Sequence, residues 1–481
     1  MRKTKIIVTI GPASRDVETL DQLLAAGMDC ARLNFSHGTL EEHGEVIDRL
    51  RALSEKRHHP VAILQDLGGI KLRLGQLEDT YQLNVGEDVW LVPEASSSQR
   101  GVLPFPRPEI LRRLHPGNLV FISDGIVCLE VTDNSDSRVK TRVRNGGLVS
   151  SGKGVNLPGA KIDLPVLTEA DKVALQFGVE QNVDWVAVSF VRTADDLRYA
   201  KSYLRSIGST ALVMAKLEKR EGIENLDAIM EEVNSVMVAR GDLGVEVPME
   251  TVPIIQKDIV RRANEAGKIS VIATQMLRSM MESPTPTRAE ISDVANAVLD
   301  GCDAILLSDE TTIGKYPVEA VKYADAAIRE AEKIYPYYRK DLTARDRTQA
   351  IAGAAGDLVQ SLNAKPIVLT STGRAAFEVS RFRPGNDIIV FSHDEAVLRR
   401  LCLGWGLAPM GVIPPERDVP KLVAMIIMRA LATGLVNDTD VVTIVHGFLT
   451  GVTGTTNTIQ VLDVKEYLAY SPPELVAAAR R

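Results

Sequence analysis

Residues 212–242, LVMAKLEKREGIENLDAIMEEVNSVMVARGD, contain two short apolar runs on either side of a longer helix-like stretch. Leu212–Leu217 and Val236–Arg240 have the length and the aliphatic composition of buried strands. Strands that alternate with helices form parallel sheets, because each helix returns the chain to the edge at which the next strand begins. The stretch therefore predicts one unit of a parallel α/β fold.

The same alternation extends in both directions along the chain. Further runs of this kind predict strands at Lys5–Ile10, Cys30–Phe35, Val61–Leu67, Trp185–Phe190, Ser270–Thr274 and Ala304–Ser308. Amphipathic stretches with helix-start signals, such as Ser14-Arg15-Asp16 and Thr287-Arg288-Ala289-Glu290, lie between most of these runs. Eight strands that alternate with helices predict a (β/α)₈ barrel, the TIM-barrel class of α/β fold.

Two segments do not continue this alternation. Residues 73–165 are too long for a structureless loop, and their short alternating runs at Asp88–Val92, Leu119–Ser123 and Val139–Val143 predict an inserted small β-barrel lid domain. After about residue 345 a second α/β pattern starts, with strands predicted at Pro366–Thr370, Asp387–Phe391, Val441–Val445 and Ile459–Val464. We therefore predict a barrel domain in two parts, 1–72 and 166–345, a lid domain at 73–165 and a C-terminal α/β regulatory domain at 346–481.

The charge balance argues against several classes of partner. The chain has 56 Lys and Arg residues against 63 Asp and Glu residues, a net charge of −7. This balance argues against nucleic-acid binding and provides no basic tail for a membrane surface, whereas a few local cations can still bind a small anion. The apolar stretch Val423–Val436 is interrupted by Arg429, so it predicts a core helix rather than a membrane span.

The cysteines and the N-terminus favour a cytoplasmic protein. Cys30, Cys128, Cys302 and Cys402 are scattered and form no CxxC pair, so we predict buried thiols in a reducing compartment rather than zinc ligands. The first eleven residues are too short and too strand-like for a signal peptide.

Polar residues follow the predicted strands at their carboxyl ends, where the active sites of parallel barrels lie. Glu218 and Asp242 end neighbouring strands and are suited to holding one Mg²⁺ (or Mn²⁺) ion. Lys216 lies two residues before Glu218, so both side chains point to the same face of the strand. With Arg32 and Arg73, these groups form an anion clamp suited to a transferring phosphoryl group.

The turn Gly241-Asp242-Leu243-Gly244 adds backbone N–H groups that suit a carboxylate. The alternative for any single strand-end charge is a solvated residue at the rim of the barrel. The sequence contains neither a Walker-type phosphate loop nor the HRD and DFG motifs. A phosphoryl-transfer enzyme outside the common nucleotide-binding types is therefore favoured.

Nearly the whole chain resembles the pyruvate kinases. The motifs that carry the resemblance are TIGPAS (9–14), ARLNFSHG (31–38), KGVNLPG (153–159), ARGDLG (239–244), ATQML (273–277) and PTPTRAE (284–290). The resemblance implies that the chain transfers the phosphoryl group of phosphoenolpyruvate to ADP and yields pyruvate and ATP in glycolysis. It also implies a homotetramer.

The resemblance implies a role for each residue that matches a motif. Lys216 neutralises charge on the phosphoryl group in flight, and Glu218 and Asp242 hold the divalent cation. Gly241, Asp242 and Thr274 bind or position the substrate. Ser308 belongs to the group that passes a proton to the enolate.

Further roles concern phosphate, nucleotide and a monovalent cation. Arg32 and Arg73 contact phosphates. The nucleotide-binding residues that the resemblance implies are Asn34, His37, Arg73 and Asp124. The residues of the region that binds a monovalent cation in many relatives are Asn34, Ser36, Asp66 and Leu67.

Structural alternatives remain open for several of these residues. Asn34 and Ser36 are also suited to cap the helix that follows them. The alternative for His37 is a rim histidine, and the alternative for Thr274 and Ser308 is a packing role in the barrel.

The segment after the third strand departs from the family pattern. Many relatives carry Asp-Thr-Lys-Gly-Pro-Glu-Ile-Arg there, whereas this chain has Asp66-Leu67-Gly68-Gly69-Ile70-Lys71-Leu72-Arg73. Lys71 stands in the place of the Glu, and an ammonium group can occupy the place of a monovalent cation. We predict that Lys71 replaces potassium; the alternative is a solvated hinge charge. Asp309, where the family has Gly, is a carboxylate next to the predicted proton relay.

A second candidate site lies in the C-terminal domain. Thr370-Ser371-Thr372-Gly373-Arg374 follows a predicted strand and precedes a helical pattern, an arrangement that suits a phosphate group. It resembles the loop that holds the effector phosphate in regulated relatives, so we predict a phosphorylated allosteric effector. The alternative is an ordinary helix cap with a turn.

Two other functions are compatible with parts of the pattern. Another metal-dependent barrel enzyme acting on pyruvate or phosphoenolpyruvate, such as an aldolase-type lyase, would explain Lys216, Glu218 and Asp242 but not the lid or the C-terminal domain. A non-catalytic metabolite-binding regulator would not explain why these residues and Thr274 are intact.

Overall fold

The computed structural model describes residues 1–123, 125–135, 138–159, 164–339, 341–447 and 456–472. Its strands, in chain order, are β1 (Lys5–Thr9), β2 (Cys30–Asn34), β3 (Ala62–Asp66), β4 (Gln76–Leu77), β5 (Tyr81–Leu83), β6 (Asp88–Val92), β7 (Ser96–Ser97), β8 (Val102–Pro104), β9 (Leu119–Ile122), β10 (Val127–Ser135), β11 (Arg138–Asn145), β12 (Gly147–Val149), β13 (Val155–Asn156), β14 (Trp185–Val188), β15 (Leu212–Leu217), β16 (Ser235–Ala239), β17 (Ile269–Ala273), β18 (Ala304–Leu307), β19 (Lys365–Thr370), β20 (Ile388–Ser392), β21 (Leu407–Val412), β22 (Val441–Gly447) and β23 (Thr456–Asp463).

The α-helices connect these strands and cover the sheets. They are α1 (Val17–Ala26), α2 (Leu40–Arg57), α3 (Pro108–Leu111), α4 (Glu169–Glu180), α5 (Ala194–Ser206), α6 (Arg220–Glu224), α7 (Leu226–Glu232), α8 (Arg240–Glu246), α9 (Val252–Ala266), α10 (Arg288–Asp300), α11 (Asp309–Thr312), α12 (Pro317–Glu332), α13 (Arg347–Leu362), α14 (Arg374–Arg381), α15 (Glu395–Leu401), α16 (Val419–Ala432) and α17 (Val464–Tyr470). Short 3₁₀ helices span Met249–Thr251 and Arg278–Met281.

Eight parallel strands close into a barrel in the order β1-β18-β17-β16-β15-β14-β3-β2. All eight predicted barrel strands are confirmed, with ends that differ by one or two residues. Most of these strands are buried along their whole length, because side chains on one face fill the barrel and those on the other pack against helices. The predicted TIM-barrel class is therefore confirmed.

Helix starts that the sequence signals are also confirmed. Asp16 caps α1 by accepting from the N–H of Thr19, and Thr287 forms a capping box with Glu290 at the start of α10. The same device, with a Thr at the N-cap and an acidic residue three positions later, begins α2, α4 and α5. Each cap satisfies N–H groups that have no partner within the helix.

The insertion after β3 forms a separate β-rich domain with its own hydrophobic core. Its main sheet has the order β13-β9-β10-β11-β6-β8, and two-stranded sheets join β12 to β5 and β4 to β7. The three strands predicted there are confirmed as β6, β9 and β11. The nine-residue strand β10 was not among those predicted, although it pairs with both β9 and β11.

The C-terminal α/β domain contains a sheet of order β21-β20-β19-β22-β23. The four predicted strands are confirmed, and β23 runs antiparallel to β22. The sequence pattern missed β21, because Pro409 and Gly411 interrupt its apolar run. An edge strand tolerates both residues, and the pairing of β21 with β20 is irregular at this point.

The interface between the barrel and the C-terminal domain is buried. Cys402 and Leu403 of the C-terminal domain lie in the same hydrophobic cluster as barrel residues such as Met214 and Leu306. The indole N–H of Trp185 donates to the carbonyl of Arg400 at 3.1 Å. The two domains therefore share one continuous core at this end of the barrel.

Two further predictions concern a membrane span and the burial of the cysteines. Within the described ranges no helix is long and apolar enough to cross a membrane, and the stretch around Val423 forms the buried face of α16. The cysteine thiols are free, but Cys128 is only partly buried, so the prediction that it is buried was wrong. Cys128 lies on a strand of the lid whose side chains alternate between the core and the outer surface.

We predict that Arg383→Met strongly destabilises the junction between the domains. The buried guanidinium of Arg383 donates to Asp303 at 2.9 Å and to Asn264 at 2.6 Å, and it lies 4.8 Å from the ring centroid of Trp405. Removal of one partner of a buried ion pair leaves the other charge uncompensated, which costs about 3–5 kcal/mol. Urea denaturation measures the loss in the free energy of unfolding.

Arg220→Met is the matched control for this prediction. Arg220 and Glu224 form an exposed ion pair on α6, and such pairs contribute about 0–1 kcal/mol. Equal effects of the two substitutions would contradict the assigned role of Arg383.

Candidate active site

Charged side chains form a cluster at the carboxyl ends of the barrel strands. Asp66, a fully buried carboxylate at the end of β3, lies within it. It accepts from Arg32 Nε at 2.7 Å, and its other oxygen lies 3.2 Å from Lys216 Nζ. Burial by itself raises the pKa of Asp66, but the charges of Lys216 and Arg32 lower that pKa below its ordinary value. Asp66 is therefore an anion that holds two cations in place.

The ammonium of Lys216, on β15, contacts three side chains of the cluster. Its ammonium lies 2.9 Å from Glu218 Oε1 and donates to Ser189 Oγ at 2.8 Å, in addition to the contact with Asp66. Burial lowers the pKa of Lys216, but Asp66 and Glu218 raise it by more, so the pKa lies above its ordinary value. Lys216 therefore keeps its positive charge.

The two predicted metal ligands lie on neighbouring strand ends. Glu218 follows β15 and is almost completely buried, and Asp242 lies in the first turn of α8, directly after β16. Burial raises the pKa of Glu218; Lys216 counteracts this effect, and the negative charge of Asp242 raises the pKa again. Asp242 is only partly buried. Two carboxylates that repel one another fit a divalent cation, since a cation would relieve the repulsion.

The described ranges contain no cluster of three or more His, Cys, Asp and Glu side chains with metal-binding geometry. A site with only two carboxylates suits Mg²⁺, which often keeps several waters and takes other oxygens from a substrate. The residues therefore fit a magnesium ion that is shared between protein and substrate.

Thr274 and Gly241, both predicted to bind the substrate, contact each other. The N–H of Gly241, in the first turn of α8, donates to Thr274 Oγ1 at 2.9 Å. Thr274 and the next residue, Gln275, have φ values of +71° and +56°, which non-glycine residues rarely adopt. Arg240 supports this strained segment by donating to the carbonyl of Thr274 at 2.7 Å and pairing with Asp293 of α10. Strain of this kind is typical of functional sites.

Ser308 begins the short helix α11 at the end of β18. Its N–H donates to Glu310 Oε2 at 2.7 Å, and the other oxygen of Glu310 accepts from the N–H of Leu277 at 3.0 Å. Buried Glu310 thus ties the loop after β17 to the loop after β18. Asp309 is exposed on the far side of this turn.

The end of β2 carries the predicted nucleotide and monovalent-cation residues. Asn34 pairs in register with Asp66 on β3, and a Cβ atom at Gly68 would lie 3.2 Å from Ser36 Oγ. These residues therefore lie beside one another at adjacent strand ends. Leu67, however, is buried in the barrel's main hydrophobic cluster.

The structure decides one alternative for this segment. Helix α2 is capped by Thr39, which forms a capping box with Glu42. Neither Asn34 nor Ser36 is needed as the cap; Asn34 Oδ1 instead accepts from the N–H of Ser36 at 3.1 Å. His37 is exposed, and its carbonyl contacts the ring of His43 at 2.9 Å.

Lys71 and Arg73 follow β3 on the connection into the lid, and both are exposed. Arg73 donates to the carbonyl of Gly152 at 3.0 Å. Lys71 lines a cleft between the lid and the barrel that also contains Asp242 and has about 810 Å³ of empty space, part of it open to solvent. Asp124 lies outside the described residues, so its predicted contact with the nucleotide-bound metal stays a prediction.

The predicted effector loop forms a turn between β19 and α14. The N–H of Gly373, whose φ is +89°, donates to Thr370 Oγ1 at 3.0 Å. Thr372 is exposed and Ser371 is partly buried, while Arg374 begins α14 and pairs with Asp346.

Sequence reasoning missed three residues of the cluster. Ser189 accepts from Lys216, Thr9 accepts from Arg32 at 3.0 Å, and Glu310 holds Ser308. Thr9 and Ser189 each lie one residue before the end of a predicted strand, and this position was the signal that could have identified them. Glu310 lies in the first turn of the short helix α11 and carried no such signal.

Known proteins match the chain over nearly its whole length. Residues 1–321 match the family described as "Pyruvate kinase, barrel domain", and residues 349–462 match "Pyruvate kinase, alpha/beta domain". A pyruvate kinase of Geobacillus stearothermophilus is 39% identical over 479 residues, which are 97% of this chain and 81% of that protein. A pyruvate kinase of Bacillus licheniformis is 39% identical over 481 residues, with 98% and 82% covered. One of Staphylococcus aureus (strain MRSA252) is 38% identical over 478 residues, again with 98% and 82% covered.

Proposed function

Since the chain belongs to the pyruvate kinase family, we propose that the cluster of Lys216, Glu218 and Asp242 carries out its phosphoryl transfer from phosphoenolpyruvate to ADP. The observation that supports this proposal most directly is a buried, charged Lys216 beside a Glu–Asp pair at the carboxyl end of the barrel. The products are pyruvate and ATP, so the enzyme is a phosphotransferase of glycolysis.

Charge is the main contribution of the protein to this reaction. The phosphoryl group in flight carries negative charge on its equatorial oxygens. Lys216 and Arg32, both held by Asp66, supply fixed positive charge beside it, so little reorganisation is needed when the reaction occurs. A magnesium ion held by Glu218 and Asp242 would add Lewis-acid stabilisation of the same charge.

The remaining residues position the substrate, deliver a proton to the enolate or contact the nucleotide. Thr274, whose hydroxyl oxygen accepts from the N–H of Gly241 and whose hydroxyl proton is left to donate, positions the carboxylate of phosphoenolpyruvate. Ser308, held by Glu310, belongs to the group that delivers a proton to the enolate carbon. We assign nucleotide contacts to four residues of β2, its following loop and the lid: Asn34, His37, Arg73 and Asp124.

Lys216→Met is expected to abolish phosphoryl transfer. The substitution removes the central positive charge from the cluster, and the loss of one electrostatic stabiliser of this kind lowers kcat by about 10²–10³-fold or more. A coupled assay of pyruvate formation from phosphoenolpyruvate and ADP measures this loss in kcat. Lys315→Met, at an exposed lysine paired with Glu282, is the control and should retain full activity.

The same assay separates the alternatives. A lyase would form no pyruvate in an ADP-dependent manner, and a regulator would show no turnover with the unaltered chain. Full activity of Lys216→Met would contradict the proposed mechanism.

We assign to Lys71 the place that potassium has in many relatives. Asn34, Ser36 and Asp66 lie together at adjacent strand ends, but the fourth residue of this region, Leu67, offers only a buried apolar side chain. Lys71 follows Asp66 by five residues, on the connection into the inserted domain, and is exposed, with no ion pair resolved among the described residues. A permanent ammonium there would remove the need for a monovalent cation.

The activity of the unaltered chain in tetramethylammonium buffer is therefore expected to change little when potassium is added. Lys71→Glu should create a requirement for potassium, because it replaces the ammonium with a carboxylate that needs a counter-ion. Initial rates at several potassium concentrations measure both effects. Strong stimulation of the unaltered chain by potassium would show that Lys71 is only a hinge charge.

We also propose that the turn Thr370–Arg374 binds a phosphorylated allosteric effector. The turn combines the hydroxyls of Ser371 and Thr372 with the N-terminus of α14 and the exposed guanidinium of Arg374. Helix N-termini with free N–H groups favour phosphate.

Sugar phosphates or AMP are expected to lower the phosphoenolpyruvate concentration at half saturation. Thr372→Asp should abolish this shift without changing the activity in the absence of effector, because it places a negative charge in the phosphate site. Saturation curves with and without each compound measure the shift. Flat responses to all of them would remove this proposal.

The assembly and location are proposals of the same kind. Met249 and Ile254, near the start of α9, are 77% and 67% exposed, and apolar side chains of this size on the surface fit an interface. We propose a homotetramer of this chain in the cytoplasm.

A further inference from the structure

The two residues that follow β14, Ser189 and Phe190, contact both Lys216 and Glu218. Ser189 Oγ accepts from Lys216 Nζ at 2.8 Å, and the backbone N–H of Phe190 donates to Glu218 Oε2 at 2.7 Å. Ser189 is 3% exposed. One dipeptide therefore holds the proposed phosphoryl-binding ammonium and the proposed metal-binding carboxylate.

The hydrogen bonds of Ser189 determine the direction in which its hydroxyl proton points. Ser189 Oγ also lies 2.7 Å from the carbonyl oxygen of Leu67, to which only the hydroxyl proton can be donated. A lone pair of the same oxygen is left for the ammonium of Lys216. Ser189 thus links the end of β3 to the lysine of β15.

The backbone at this place is strained. Phe190 has a φ of +56°, a value that is an outlier for a bulky aromatic residue. A Cβ atom at Gly69 would lie 3.0 Å from the ring of Phe190 and 3.1 Å from Ser189 Cβ, so the chain packs tightly around the dipeptide. Such conformations persist where the surrounding structure over-determines them, and they cluster at active sites.

We propose that Ser189 is a positioning residue for phosphoryl transfer, and that it acts by orienting the ammonium of Lys216. The other two contacts of that ammonium are to carboxylates, Asp66 and Glu218. Asp66 Oδ1 has no partner of hydrogen-bond geometry in the described part of the chain, whereas the bond to Ser189 meets that geometry. Ser189 is a neutral acceptor, so it directs the ammonium without cancelling its charge. This inference rests on the proposed role of Lys216.

The contact of Ser189 with Lys216 can be removed without removing the contact of Phe190 with Glu218. Ser189→Ala removes the acceptor for Lys216 but leaves the N–H of Phe190 on Glu218. We expect kcat to fall about 10–100-fold, since a misplacement of about 1 Å can cost this much. The KM for phosphoenolpyruvate and the affinity of the free protein for Mn²⁺, measured by electron paramagnetic resonance, are expected to change little.

Ser189→Cys tests whether packing alone explains the effect. The thiol has a size similar to the hydroxyl but is a weak acceptor, so this variant is expected to lose activity as the alanine variant does. Ser235→Ala is the matched control, because Ser235 is also fully buried in a barrel strand and its Oγ has no partner in the described part of the chain. Its kcat should equal that of the unaltered chain.

Four outcomes would overturn the inference. They are a kcat of Ser189→Ala within about twofold of the unaltered chain, full activity of Ser189→Cys, an equal loss in Ser235→Ala, and a loss of Mn²⁺ affinity in proportion to kcat. If Lys216→Met were fully active, the proposed function itself would fail. If Lys216→Met were inactive while Ser189→Ala was normal, only the inference would fail.

Discussion

The buried charge of Asp66 is the constraint on which the site depends. A carboxylate without access to water is stable only with cations and donors around it. Arg32 from β2 and Lys216 from β15 meet this requirement, and both are drawn towards the centre of the barrel by it. The same electrostatic need that stabilises the fold at this point therefore places two positive charges together at the carboxyl end of the barrel.

The cluster remains short of positive charge. Lys216 lies between the carboxylates of Asp66 and Glu218, and the negative charge of a third carboxylate, Asp242, acts on Glu218. Like charges that interact in this way disfavour one another, and a cation shared between them relieves the repulsion. A divalent ion held by Glu218 and Asp242 would relieve this repulsion, and substrate oxygens could complete its coordination.

Three of the nine non-glycine residues with positive φ in the described part of the chain lie around the same cluster. Positive φ values occur at Phe190 after β14 and at Thr274 and Gln275 after β17. Each strained segment turns an N–H, a carbonyl or a hydroxyl towards a neighbouring strand end, and Arg240 or Glu218 holds it there. The closed barrel supplies the rigidity that these conformations require, because each strand is fixed by neighbours on both sides.

The sequence alone determined the barrel, the separate β-rich domain and the C-terminal α/β domain, and it predicted Lys216, Glu218 and Asp242 as site residues, because hydrophobic periodicity and strand-end position are local properties of the chain. It missed β21, where Pro409 and Gly411 hide an edge strand, and it assigned Leu67 to a polar site although the side chain packs in the core. Only the tertiary structure showed that Ser189 accepts from Lys216 and that Glu310 joins two loops. The contact of Lys216 with Ser189 joins residues 27 positions apart, and that of Leu277 with Glu310 joins residues 33 positions apart. No local sequence pattern specifies contacts over such separations.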